Sequence, residues 1–268
     1  MPREHSTDGG PGSPGRTRVT TSGFGAARRC ISDVARLAQD IPLFPVERTM
    51  DLGDLAATRA AAGVRIGWAA VFLKAYALVA REMPSLRSWL VRGFPAGLRA
   101  FPRLATASES VATLAVNRVE GGEDRLFWAR LSAPDTRPLA EIQGFVAAAA
   151  TRPVEEFFKR QLQLEMVPGP LRRTILRWNM NSCSPKRAAR IGTFSLSTLA
   201  GLGASNRFHP TICTTSLSYA PLEADGRCLV TLIADHRVLD GAVVARALAR
   251  LEETLRRDIA AELARIEP

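Results

Sequence analysis

An α+β fold, a mixed β-sheet and helices packed as a two-layer sandwich, is predicted by three observations. Strand-like and helix-like segments succeed one another without the strict alternation that builds a parallel α/β sheet. The β-branched run Cys228 to Ile233 passes through a polar turn into a segment with helical spacing, Val244, Leu248, Leu251 and Leu255. The 268 residues are 46% hydrophobic, which is enough apolar surface for one large core.

Residues 1–27 are rich in Gly, Pro, Ser, Thr and Arg and lack apolar periodicity, so they are expected to form a disordered N-terminal arm, with one folded domain over 28–268. They contain no apolar stretch of signal-peptide type. A helix is predicted near 28–39, a strand near 43–49, and helices near 52–62 and 67–82, the first of this pair capped by Asp51. Strands near 109–118 and 125–132 flank Gly121-Gly122, a hairpin signal. Helices near 138–150 and 153–165 and a helical stretch over 168–180 follow. Strands are expected near 192–199, 211–220 and 227–234, and the last helix near 241–264. No internal repeat of solenoid length is visible.

The chemistry-bearing residues concentrate in His236-Arg237-Val238-Leu239-Asp240-Gly241. A histidine at a strand end is held by rigid structure, and an ordinary pKa near 6.5 lets its neutral ring accept a proton at physiological pH. The same spacing also fits a hydrogen-bonded turn, with Asp240 as helix cap and Gly241 chosen for backbone freedom. Upstream, Ser195 and Ser197 alternate onto one face of a strand and Thr198 onto the other, so periodicity alone does not choose between the two serines as a hydroxyl donor. His209, before Pro210, reads as a loop residue.

The net charge of +10 raises nucleic acid as a partner, but the distribution argues against it. Lys74, Lys159 and Lys186 are the only lysines, and the arginines are dispersed rather than gathered in a stripe interleaved with aromatic residues. One cluster, Arg172, Arg173, Arg177, Lys186, Arg187 and Arg190, has the charge to attract phosphates or an acidic partner, although solvated surface is its simpler reading. Cys30, Cys183, Cys213 and Cys228 form no C-x-x-C pair, and the histidines are far apart, so neither a metal site nor a disulfide framework is indicated. A cytoplasmic protein without a membrane span is expected.

The string Asp235 to Ala242 resembles the signature of the dihydrolipoamide acyltransferase catalytic domain, the transferase component of 2-oxo acid dehydrogenase complexes. Gly192-Thr193-Phe194-Ser195-Leu196-Ser197-Thr198-Leu199 is similar to that family's G-T-F-T-I-S-N-L strand. Ile41-Pro42-Leu43-Phe44, Lys74-Ala75-Tyr76-Ala77-Leu78 and Pro138-Leu139-Ala140-Glu141-Ile142 are similar to its I-P-H-F, K-A-x-A-L and S-L-A-E-I segments. The resemblance spans residues 28 to 260 in family order. Chloramphenicol acetyltransferases and the condensation domains of peptide synthetases carry two histidines before x-x-x-D-G; Asp235 in the first place favours the dihydrolipoamide branch.

The resemblance implies a chloramphenicol acetyltransferase-like fold and acyl transfer between coenzyme A and a thiol such as dihydrolipoamide. It casts His236 as general base, Ser197 as oxyanion donor and Asp240 as the residue that orients the histidine turn through a salt bridge. No permanently bound cofactor is implied: the coenzyme A thioester is substrate, and lipoamide comes from a lipoyl-domain protein, since neither a lipoyl nor a partner-binding domain is expected here. It further implies a homotrimer or a larger assembly of trimers, in which the histidine of one subunit meets the serine of its neighbour. Phe157, Phe158 and Leu162 suit such contacts or a buried helix face equally.

Three segments depart from the family pattern. Ser32, Asp33 and Val34 stand where its early R-R-M arginine would, with Arg28, Arg29 and Arg36 as candidate substitutes. Ile212-Cys213-Thr214-Thr215 replaces its I-N-P-P turn, and Phe127 to Leu131 its T-P-V-V strand. These departures support a second reading, a noncatalytic oligomeric core protein that retains the acyltransferase fold.

Overall fold

A computed structural model of the chain describes residues 19–21, 23–92 and 102–266. Its first elements are helix α1 (Ala26–Ala38), strand β1 (Leu43–Asp51), and helices α2 (Gly53–Ala61) and α3 (Trp68–Glu82). A short antiparallel pair, β2 (Ser88–Val91) and β3 (Arg103–Thr106), precedes the long hairpin of β4 (Val111–Glu120) and β5 (Glu123–Ser132). Helices α4 (Leu139–Thr151), α5 (Val154–Phe157), α6 (Lys159–Met166), α7 (Gly169–Met180) and α8 (Pro185–Ile191) lead to strands β6 (Phe194–Leu196), β7 (Thr215–Tyr219) and β8 (Arg227–Asp235). The last described elements are α9 (Gly241–Thr254), a π-helical turn over Leu255–Ile259, and α10 (Ala260–Leu263).

Six strands form one sheet in the order β1-β8-β7-β6-β4-β5. Strand β6 runs parallel to both of its neighbours and every other pairing is antiparallel, so the sheet is mixed as expected for an α+β fold. Alternation along the strands separates two faces. On one, Leu114, Leu196, Leu217, Leu232 and Val46 lie in a single cross-strand row. Buried Phe72 and Tyr76 of α3 and Val244, Leu248 and Leu251 of α9 belong to the same core. Each such side chain, fully buried, contributes roughly 1.5–3 kcal/mol. The opposite face carries Thr113, Ser195 and Ser216 in one row. Helices α3 and α9 therefore cover the apolar face, while the hydroxyl-bearing face meets α8, whose Ile191 carbonyl accepts from Thr113 Oγ1 at 2.7 Å.

Lys74, in the segment similar to K-A-x-A-L, pairs with Glu262 of α10 at 2.5 Å and donates to the Arg137 carbonyl at 2.7 Å. Phe158 is buried and stacks on Phe127 at 4.7 Å, while Phe157 and Leu162 pack on the core, so the three residues form a helix face within the chain.

Most of the expected arm lies outside the described residues, and Ala26 and Ala27 already belong to α1. Asp51 ends β1 opposite Arg227, and Leu52 takes the capping position of α2 in its place; the Asp51 carboxylate still accepts from Gly53 N at 3.2 Å. Strands β2 and β3 and helix α8 were not foreseen. Gly121 and Gly122 take φ of 62° and 82° in the β4–β5 turn, the left-handed conformation that their sequence signals.

Candidate active site

His236 immediately follows β8. Its backbone N–H donates to the Pro42 carbonyl at 3.0 Å, and its ring packs on Phe44 with centroids 4.6 Å apart. The turn behind it is built by the Asp235 carbonyl, which accepts from Val238 N and Leu239 N at 3.0 Å each, and by the buried Leu239 side chain. The buried Asp235 carboxylate holds Arg237 through two side-chain bonds, Nε at 2.8 Å and Nη2 at 2.7 Å, and also accepts from Arg237 N at 3.0 Å. The residue is thus fixed at its backbone while its side chain is 56% exposed.

The salt bridge expected of Asp240 is different in kind. Its carboxylate lies 3.6 Å from His236 Nδ1, within ion-pair reach of an imidazolium but too long for a hydrogen bond, and no arginine pairs with it among the described residues. Asp240 is the N-cap residue of α9 by backbone, its carbonyl accepting from Val243 N and Val244 N at 2.9 and 3.2 Å, with no side-chain cap bond. Asp33, standing near the place of the absent family arginine, reaches across to α7. It pairs with Arg172 at 2.6 Å and Arg173 at 3.3 Å, all but the last side chain buried.

Ser197 continues β6, donating its backbone N–H to the Leu217 carbonyl at 3.0 Å. Gly192 lets the chain pass close to β4 as it enters β6. It adopts φ 97°, and a Cβ there would stand 2.3 Å from Thr113 Oγ1. The structure separates the two candidate serines. Ser195 Oγ is committed to Ser216 Oγ at 2.7 Å and lies 3.2 Å from Thr211 Oγ1, whereas Ser197, half-buried, takes no part in that network.

Strand register sets the distance between Ser197 and His236. Leu196 pairs with Leu217, so Ser197 is level with Ser218, which pairs with Thr231 on β8, five residues before His236. At about 3.3 Å per residue and 4.8 Å per strand, the two lie about 16 Å apart along the sheet and about 10 Å across it. One chain does not bring them together.

His209, read from sequence as a loop residue, is anchored to the hydroxyl face. Its Nε2 is 2.7 Å from Ser216 Oγ and its Nδ1 is 3.1 Å from Asn206 Nδ2. Burial lowers its pKa to about 4, so the ring is neutral at physiological pH. Only the turn signal around Pro210 pointed to this segment. Cys213 in the same loop is fully enclosed, and burial pushes its thiol pKa up. Among the described residues no cluster of His, Cys, Asp and Glu suits a metal ion, and no helix is long and apolar enough to cross a membrane.

The sheet order and the helices covering it define the fold of dihydrolipoamide acetyltransferase catalytic cores. The chain is similar to the Azotobacter vinelandii dihydrolipoamide acetyltransferase, with a TM-score of 0.65 and 19% identity over 94% of this chain and 99% of that one. In that enzyme a serine, a histidine and an asparagine four residues beyond the histidine have been investigated for their role in the catalytic mechanism. It is also similar to the truncated catalytic core of the Thermoplasma acidophilum 2-oxoacid dehydrogenase multienzyme complex, with a TM-score of 0.61 and 16% identity over 90% and 99% of the two chains. The cubic core of a pyruvate dehydrogenase multienzyme complex gives 0.62 and 19% over 94% and 99%. No family model and no curated protein matches the sequence.

Proposed function

We propose that the protein is an acyltransferase that moves an acyl group between coenzyme A and a thiol such as dihydrolipoamide, in a site formed where His236 of one copy meets Ser197 of another. The observation that carries this reading is the setting of His236, rigid at its backbone, open at its tip, and followed at four residues by the carboxylate facing Nδ1. The histidine and asparagine of the Azotobacter enzyme have the same spacing.

With Nδ1 turned to Asp240, Nε2 is the atom that takes the proton of the attacking thiol. The new sulfur–carbon bond forms at the thioester carbonyl, and the resulting oxyanion receives a hydrogen bond from Ser197 Oγ, a contribution typically of about two to three decades in rate. Collapse breaks the bond to the coenzyme A sulfur, which leaves as a thiolate and recovers the proton from His236. Leu199, Leu202 and Phe208, exposed by 42%, 78% and 55% around the Ser197 loop, supply an apolar surface for the neighbouring copy. Cores of multienzyme complexes with this fold support assembly into a larger oligomer; a trimeric unit, lipoamide presented by a lipoyl-domain protein and a cytoplasmic setting complete the proposed reading.

A specific observation favours the second reading, a noncatalytic oligomeric core: Ser32, Asp33 and Val34 stand where the family arginine would, and among the described residues no arginine pairs with Asp240. Release of free coenzyme A from acetyl-, propionyl- and longer acyl-coenzyme A with dihydrolipoamide decides between them. His236→Ala is expected to lower kcat/KM by about 10²–10⁴-fold. No turnover by folded, oligomeric wild-type protein with any of these donors would select the noncatalytic core.

A further inference from the structure

On the hydroxyl-bearing side of the sheet, a cleft of about 340 Å³ opens between the end of α1, strand β2, helices α7 and α8 and the residues on either side of His236. Its walls carry four arginines, Arg92, Arg177, Arg187 and Arg237, and two aspartates, Asp40 and Asp235. Asp235 accepts three hydrogen bonds from Arg237. Asp40 and Arg177 stand 3.7 Å apart and both are largely exposed, so water screens that pair.

Arg187 is the exception. Its side chain is almost wholly buried, at 3% exposure, and stacks on the Trp89 ring at 4.6 Å. Among the described residues its hydrogen bonds go to neutral carbonyls, Gly192 O from Nη1 at 2.8 Å and Ile212 O from Nη2 at a long 3.4 Å, and buried Nε has no partner there. Desolvation lowers its pKa to about 10, which leaves it charged at physiological pH. The charge of Asp235, already hydrogen-bonded to Arg237, favours the cation from a distance, but no carboxylate among the described residues pairs with Arg187 directly, and neutral acceptors offset its desolvation only in part. A planar guanidinium lining a cleft matches the two oxygens of a carboxylate or phosphate.

We propose that this cleft is an anion-binding site in which Arg187, together with Arg92 and Arg177, receives the charged end of a small carboxylate- or phosphate-bearing ligand. Ligand pockets typically enclose about 300–1,000 Å³, so this one suits a small acid or the tail of a dicarboxylic acyl group rather than a whole nucleotide. The site stands independently of acyl transfer. Where the chain does transfer acyl groups, the cleft places a carboxylate receptor one residue from the proposed base.

Thermal unfolding and calorimetric titration with succinate and with inorganic phosphate, at constant ionic strength set by chloride, test the site directly. Wild-type protein is expected to bind at least one of the two saturably, with Tm raised by about 5–10 °C at a hundredfold excess over Kd. Arg187→Met and Arg187→Gln, the second retaining hydrogen-bonding capacity, are expected to lose the shift. Binding of succinate alone identifies a carboxylate ligand, and a preference for succinyl- over propionyl-coenzyme A that vanishes in Arg187→Met places it on the acyl group. Binding of phosphate alone identifies a phosphate ligand. Failure of wild-type protein to bind either anion, or undiminished binding by a folded Arg187 variant, overturns the proposal. Because binding is read without turnover, a chain with no transferase activity gives the same test.

Discussion

His236 and His209 share a side chain and differ in everything that sets its chemistry. His236 keeps an exposed side chain with a carboxylate beside one nitrogen, the setting that the proposed base requires. His209 has both ring nitrogens engaged by Asn206 and Ser216, and burial holds its pKa near 4. An unfolded histidine titrates near 6.5, so below that pH the unfolded chain takes up a proton that the folded chain refuses. The stability tied to neutral His209 is therefore fully present above pH 6.5 and is lost as the pH falls toward 4, an effect of about 3 kcal/mol at most. Urea unfolding across pH 7 to 4 is expected to give a shallower decline for His209→Gln than for wild type; parallel profiles would show that His209 is not desolvated in the folded state.

Helix α1 owes its place to one carboxylate as much as to its apolar side. Asp33 meets Arg172, which also donates to the Glu165 and Val167 carbonyls and so closes the junction of α6 and α7. Asp33→Ala leaves a buried guanidinium without its anion, a change that typically costs about 3–5 kcal/mol. A fall in the urea midpoint by the corresponding amount is expected, and a variant as stable as wild type would mean that water reaches Arg172. The elements that periodicity revealed are those with a long apolar face, such as α3 and α9. Strands β2 and β3 and helix α8 are too short to show a period, and they are held by distant contacts: Trp89 Nε1 donates to the Ser182 carbonyl at 2.9 Å, and Arg187 ties α8 to Gly192, just before β6.

For the molecule as a whole, the separation of Ser197 from His236 means that the proposed chemistry requires a second copy of the chain. Mixed and co-refolded in equal amounts, inactive His236→Ala and Ser197→Ala proteins are expected to regain about a quarter of wild-type turnover, because random assembly brings together a native histidine and a native serine at that fraction of interfaces. A site contained in one chain would recover none. Local order along the chain was enough to reveal the mixed α+β architecture, the last strand, turn and helix, and the two residues at 236 and 240, because side-chain periodicity and turn chemistry act over a few residues. The resemblance in motifs supplied the choice of Ser197 over Ser195, and only the tertiary structure shows that Ser195 is hydrogen-bonded to Ser216. Other features depend on which distant segments lie side by side. They include the burial of Arg187, the capture of Asp33 by Arg172, and the placement of serine and histidine at opposite ends of the sheet. Register and helix packing settle these features, and neither is a property of any short stretch of sequence.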